Sequence, residues 1–459
     1  MKDFKHLAIL VFICLLSVGC DKYLDITPKG RRLLTTVNDY DQWMNDPSLV
    51  LGVGGQQCII NYLGDNTDFV NITTPPTIST ELLYTWSPQY SFDINTAPII
   101  WGDHYAKINA FNTVLVGIDD ATGGTAGQKK SLKAEAYLGR ALEYFYLLNE
   151  YAKVYDATTA STDLAVPFVT SNDVSQKTPP RATVADVYQH IIDDMAIAIP
   201  NLPPDNSINR FRGSVASAYS LLSRLYFYAL DYPQAQKYAE LALANTKAAM
   251  LDLNGANPAT NMLGAQTDVI YGRMSLVFSV SATLDYMRTF AANDLRVRKL
   301  YTSTDAFRFT TRGGTQYSPP VVSPATNYFY TNTGTSVQEM KLIAAECAVR
   351  ANNLSTALQY LDEVRKNRFA TASYVKYSST IQENVLQEIL SERNHELGFA
   401  GLRWFDMRRL DKEGKMETVY RYNAQGGIVA TLEPHSNKYT LQIPYQVMNF
   451  NPDMIQNPN

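Results

Sequence analysis

Residues 391–410 read SERNHELGFAGLRWFDMRRL, a run with three acids, a histidine, four arginines and a tryptophan. It is either a carboxylate–arginine catalytic site or a set of ion pairs that locks two helices together. Leu386, Ile389, Leu390, Arg393 and Leu397 fall on or near one helix face. Glu392 and Glu396 stand one turn apart and flank Arg393. Gly398 is placed to stop that helix, Gly401 opens the next turn, and RWFDMRR starts a second helix. Arginine suits buried, forked pairing with carboxylates. The stretch therefore reads as frame, with Trp404 and Phe405 packed beneath an ion-pair network.

Working outward, apolar residues recur at helical spacing over 99–118, 128–153, 183–200, 213–230, 233–249, 335–351, 354–368 and 380–397. Thr183 is placed to cap one of these helices and Pro200 to end it. Two segments share a helix-pair pattern. In SLLSRLYFYALDYPQAQKYAELALAN, small or aromatic residues fall at Ser223, Tyr226, Ala235, Ala239 and Ala242. The second, LIAAECAVRANNLSTALQYLDEVRKNR, repeats the spacing with Ala345, Ala348, Ala357, Leu361 and Val364. This resembles the tetratricopeptide repeat, in which small residues let two antiparallel helices approach closely. Two further pairs are expected, 128–153 with 183–200 and 380–397 with 402–410. The predicted fold is mainly α: tetratricopeptide-like pairs in one large helical domain, with long irregular insertions and a few short strands. The frame covers 99–249 and 335–410. The insertions at about 61–98 and 250–334 are expected to build the ligand surface, since loops this long in a compact protein usually carry function.

Composition narrows the function. The net charge is −4, so there is no basic excess to neutralise phosphates, and nucleic acid is not an expected partner. At the N-terminus, Lys2 and Lys5 precede the apolar run LAILVFICLLSV, then Gly19 and Cys20. That run is too short to span a bilayer and reads as a signal peptide over 1–19. A cysteine after a small residue at this point resembles a lipobox, although Leu16 stands one place further from Cys20 than is usual. Cys20 is the expected lipidation site, and the lipid would tether residues 20–459 to a membrane. Cys58 and Cys347 do not suggest a disulfide framework and read as buried small hydrophobes.

Catalytic patterns are missing. HELGF starts like a zinc-protease motif but lacks its second histidine. No nucleophile elbow, phosphate-binding loop or dinucleotide-binding glycine pattern occurs. The adjacent acids Asp119–Asp120 and Asp193–Asp194 point apart on a helix. The chain is read as a non-enzyme, with no metal site and no cofactor.

ILSERNHELGFAGLRWFDMRRL also resembles the signature of the SusD/RagB family, with Arg393, Glu396, Arg403, Trp404 and Asp406 at its structural positions and Ala400 where an acid is usual. Further blocks resemble the family in the same order: CDKYLDITP, WGDHYAKINAFNTVL, AEAYLGRALEYFYLLNEYAKV with AVPFV, RATVADVYQHIIDDMAIAIPNLP, RFRGSVASAYSLLSRLYFYALDYPQAQKYAE, and the closing YTLQIPYQVMNFNPDMIQNPN. The resemblance implies an outward-facing, lipid-anchored outer-membrane protein without catalysis. It implies a SusC-like, TonB-dependent transporter as partner and a nutrient as ligand, commonly a glycan and in the RagB branch a peptide. A scaffold that binds only protein is the third reading. Aromatics in the insertions are the expected ligand contacts, because their faces stack on sugar rings. They are Tyr84, Trp86 and Tyr90 in LLYTWSPQY, Tyr286, and Tyr317, with Arg308 and Arg312 for an acidic group. Trp101, inside a helical block, is read as core.

Overall fold

A computed structural model describes residues 34–50, 58–69, 71–255, 267–277, 280–303, 315–318 and 329–459. Cys20, Arg308 and Arg312 lie outside the described residues. Among those described, nine helices of ten or more residues form the frame: α1 (Trp101–Gly117), α2 (Ala126–Tyr151), α3 (Val184–Ala198), α4 (Val215–Tyr228), α5 (Tyr232–Asn245), α6 (Val337–Arg350), α7 (Leu354–Arg365), α8 (Gln382–Leu397) and α9 (Arg403–Lys412).

The helix starts are chemically specified. The Thr183 side chain accepts from the Asp186 amide, and Asp186 accepts from the Thr183 amide in return. Thr125 and Gln128 do the same for α2. Small residues set how closely the helices approach. Ala235, Ala239 and Ala242 of α5 are buried against α4, and Ser223 donates to the Ala235 carbonyl at 2.9 Å. Gly139 of α2 lies under the Phe111 ring of α1, where a Cβ would come within 2.3 Å of it.

The pairs α2–α3, α4–α5 and α6–α7 pack as the spacing predicts, and α1 adds to α2. The expected pairing of 380–397 with 402–410 is different. α8 lies on α6 and α7 instead. Gly401, at φ +77°, turns the chain sharply, and α9 runs beside α4 and the turn Ile59–Leu63. A side chain at Gly401 would be strained by that φ. α8 and α9 are therefore joined by side-chain charges.

The two insertions meet in one antiparallel sheet, ordered Thr67–Asp68, Val280–Ala282, Thr315–Tyr317, Tyr301–Ser303. Thr67 pairs with Ala282, and Tyr317 lies between Val280 and Tyr301. Two-stranded ladders fill the rest, among them the hairpin Val419–Tyr422 with Ile428–Leu432.

Candidate functional site

The signature stretch is a hub of buried charge. Arg393 on α8 reaches Asp406 on α9, with Nε 3.0 Å from both carboxylate oxygens. It does not pair with Glu396, its neighbour in sequence. Glu396 accepts from Arg368 at 2.6 Å and from Arg296 at 3.0 Å. Arg296 also meets Asp294 and Glu392, and all three side chains are fully buried. Burial pushes the Glu396 carboxyl up, but Arg368 and Arg296 outweigh it and hold it below the usual range. For Glu392 burial wins and the carboxyl is raised. Arg403 grips Asp65 through Nε and Nη2, each at 2.6 Å. Trp404 stacks on Tyr439 with centroids 5.4 Å apart.

These contacts tie the frame to both insertions. Asn61 donates to the Phe399 carbonyl and accepts from the Gly401 amide. Asn66 donates to Asn394 at 2.7 Å. Tyr286 donates to the Asn394 carbonyl at 3.2 Å. The signature thus positions Asn61, Asp65 and Asn66 of one insertion and Tyr286, Asp294 and Arg296 of the other.

The aromatic residues expected to meet ligand are packed instead. Trp86 is 3% exposed. Its backbone sits at φ +51°, and its indole N–H donates to the Leu63 carbonyl at 3.1 Å. Tyr84 and Tyr90 are buried. Tyr84 donates to Asp68 at 3.2 Å, and the Tyr90 hydroxyl meets that of Tyr151. The Arg421 guanidinium lies 4.3 Å over both the Tyr84 and Trp86 rings. Tyr286 is buried and Tyr317 half-buried. Phe399, from the signature turn, stacks on Tyr317 at 4.9 Å and meets Tyr286 edge-on at 5.8 Å. Tyr84, Trp86, Tyr90 and Tyr286 offer no open ring face. The reason is that the insertions fold on one another and on α8–α9, so their aromatics make a second core.

A large open concave surface lies elsewhere. Three adjoining cavities, of about 790, 620 and 390 Å³, run between the start of α1, the segment 168–181 and the tail 446–455. Thr178 lines all three, and Phe450 lines the two larger ones. Phe450 ends the short helix Tyr445–Phe450 and is 75% exposed. Trp101 and Tyr105 edge the middle cavity, with ring centroids 5.0 Å apart. Tyr105 is fixed by its hydroxyl, which donates to the Pro167 carbonyl at 2.7 Å. Arg181 holds the walls together: it donates to the carbonyls of Leu164 and Ala165 on one side and to Ile455 and Asn457 on the other. Lys177 and Asp453 face each other across the rim at 4.0 Å. A large, mostly apolar pocket with a few polar groups is the usual form of a small-molecule site. Sequence reasoning passed over Phe450; its signal was an aromatic between two Asn residues in NFNPDM, outside any helical stripe.

A deeper cluster is structural. His104 lies between Glu143, 2.7 Å from Nδ1, and Glu150, 3.3 Å from Nε2, all fully buried. Burial lowers its affinity for protons, but Glu150 and Glu143 outweigh burial and raise its pKa from 6.5 to about 9. Cys58 is buried, which pushes its thiol up to about 12, and Cys347 is buried too. Among the described residues, no group of three His, Cys, Asp or Glu is placed to hold a metal. None of their helices is long and apolar enough to cross a membrane.

Comparison with known proteins agrees with this architecture. A family model described as starch-binding, associating with outer membrane, matches residues 37–227, and the SusD family model matches 338–459. The SusD-like protein P2 of Formosa agariphila is 23% identical over 427 residues, covering 78% of each chain. Solved structures share the fold. A SusD superfamily protein of Bacteroides thetaiotaomicron superposes with a TM-score of 0.73 at 19% identity, covering 93% of this chain and 100% of its own. A SusD-like carbohydrate-binding protein of Bacteroides vulgatus gives 0.70 at 18%, covering 92% and 97%. Surface glycan-binding protein A of Bacteroides uniformis gives 0.72 at 18%, covering 92% and 99%. With family models matching residues 37–227 and 338–459, more than half of the chain between them, this chain belongs to the SusD/RagB family.

Proposed function

We propose that this chain is an outer-membrane lipoprotein, tethered through Cys20 and facing outward, that captures an oligosaccharide or polysaccharide and delivers it to a SusC-like TonB-dependent transporter. Residues 1–19 are the signal and residues 20–459 act as one unit. The observation that carries this reading is the groove beside α1. It is open, mostly apolar, and presents the Phe450 ring with the Trp101 and Tyr105 edges behind it. Such rings stack on the apolar faces of sugars. Charges at the groove are few, and the buried one, Arg181, is hydrogen-bonded within the protein, which suits an uncharged ligand. Phe450 takes the role that the sequence assigned to Trp86.

The test is calorimetry of the mature chain against neutral oligosaccharides and peptides of matched length. Glycan binding that weakens about tenfold in Phe450→Ala supports the reading. Binding of peptides alone would replace it with a peptide importer.

A further inference from the structure

The hairpin Val419–Tyr422/Ile428–Leu432 carries two outward tyrosines that the groove does not use. Tyr420 and Tyr422 are 46% and 38% exposed, and Ile428, opposite Tyr422, is 59% exposed. The two rings lie on one strand face with centroids 6.4 Å apart and planes inclined by 40°. Residues two apart on a strand share a face. Between them Arg421 points inward and is buried. It donates to the carbonyls of Tyr84 at 3.0 Å, Thr67 at 2.9 Å, Tyr62 at 3.0 Å and Gly64 at 2.8 Å. One strand is therefore pinned on its inner face and aromatic on its outer face. The tip is also fixed: the Asn423 amide donates to the Gly427 carbonyl, and its side chain accepts from the amides of Gln425 and Gly427.

We propose that Tyr420 and Tyr422 form a twisted stacking platform for a neutral polysaccharide chain, a contact site separate from the groove. This rests on the glycan reading above and extends it to polymer length. Two neighbouring rings on a rigid strand, each turned to the next, can lie under successive sugar units of one twisted chain. The outward positions Tyr420, Tyr422, Ile428 and Thr431 carry no charge, and the charges at their edge are engaged, Glu433 by Thr418 at 2.6 Å and Lys438 by the Thr431 carbonyl at 3.2 Å, so the platform fits an uncharged polymer. The Arg421 pin removes most of the ordering cost that a mobile loop would pay on binding.

The test is native gel electrophoresis of the mature chain through gels holding amylopectin, galactomannan, arabinoxylan or xyloglucan, beside thermal melts. For each polymer that retards the wild type, Tyr420→Ala and Tyr422→Ala should each weaken binding roughly three- to tenfold, and the double variant more. Melting should not change, and Tyr420→Phe and Tyr422→Phe should keep most of the affinity. Wild-type retardation of the double variant, where Phe450→Ala loses it, overturns the platform and leaves the glycan reading standing. So does a double variant that alters only self-association or co-purification with a transporter, which makes the hairpin a protein interface. A wild-type chain that none of the four polymers retards overturns the platform together with the glycan reading.

Discussion

Arg393 and Asp406 hold α8 to α9 through a guanidinium nitrogen 3.0 Å from both carboxylate oxygens, with both side chains buried. The pair joins two helices that do not pack side by side. Arg393→Ala strips Asp406 of its hydrogen-bonded cation in the interior and leaves it Arg409, 3.7 Å away and beyond hydrogen-bond distance. Stranding a buried charge costs about 3–5 kcal/mol. Denaturant unfolding should show that loss, and glycan affinity of the folded fraction should stay at the wild-type value.

Glu396 acts at a different place. Glu396→Ala removes the acceptor that Arg296 and Arg368 share, leaving Glu392 as the α8 carboxylate that still holds Arg296 of the second insertion. Amide exchange should quicken over 280–303 before it quickens in α2. Equal acceleration in both would show that Glu396 has no special hold on the insertion.

Arg421→Ala would take the guanidinium donor from the carbonyls of Tyr84, Thr67 and Tyr62, while Gly64 keeps the Thr67 amide. An unsatisfied buried group costs roughly 1–3 kcal/mol, so the variant should lose at least about 3 kcal/mol by thermal or urea unfolding. Arg421→Lys should not restore it, because an ammonium cannot fan out to four acceptors as the guanidinium does. Trp86→Ala belongs with this cluster and should cost about 3–5 kcal/mol as a core cavity, with ligand affinity retained.

Two buried histidines should shape the pH profile from opposite sides. His104 has its folded pKa raised to about 9 by Glu150 and Glu143 against the effect of burial. Its contribution is complete below the unfolded value of 6.5 and is lost as pH rises through 9, about 3 kcal/mol in all. Burial, then Arg296 and Arg365, depresses His395 to about 2. It stays neutral in the fold, stacked on Phe290 at 4.1 Å, so stability falls as pH drops below 6.5. Urea unfolding from pH 5 to 9 should peak near neutrality. His104→Gln should flatten the alkaline side and leave the acid side unchanged.

The frame was legible because helices announce themselves locally, through capping residues such as Thr183 and small residues such as Ala235 and Ala239. The signature was legible as structure because its arginines and acids had no catalytic company. Their partners were not: Asp406 and Arg368 lie 13 and 28 residues from Arg393 and Glu396, and only the fold brings them together. The ligand aromatics misled for a related reason. Trp86 sits outside any helical stripe, which suggests exposure, yet Arg421 and Leu63 enclose it from distant parts of the chain. Tyr420 and Tyr422 carried a period-two signal in VYRY, short enough to pass as loop.

Capture for import is the central claim, and uptake tests it most directly. Accumulation of a labelled neutral oligosaccharide should be measured in cells that hold the transporter and either the wild-type chain, Phe450→Ala, or no copy. The account predicts uptake in the order wild type, Phe450→Ala, no copy. Equal glycan uptake in all three, with peptide uptake lost in cells lacking the chain, would contradict it.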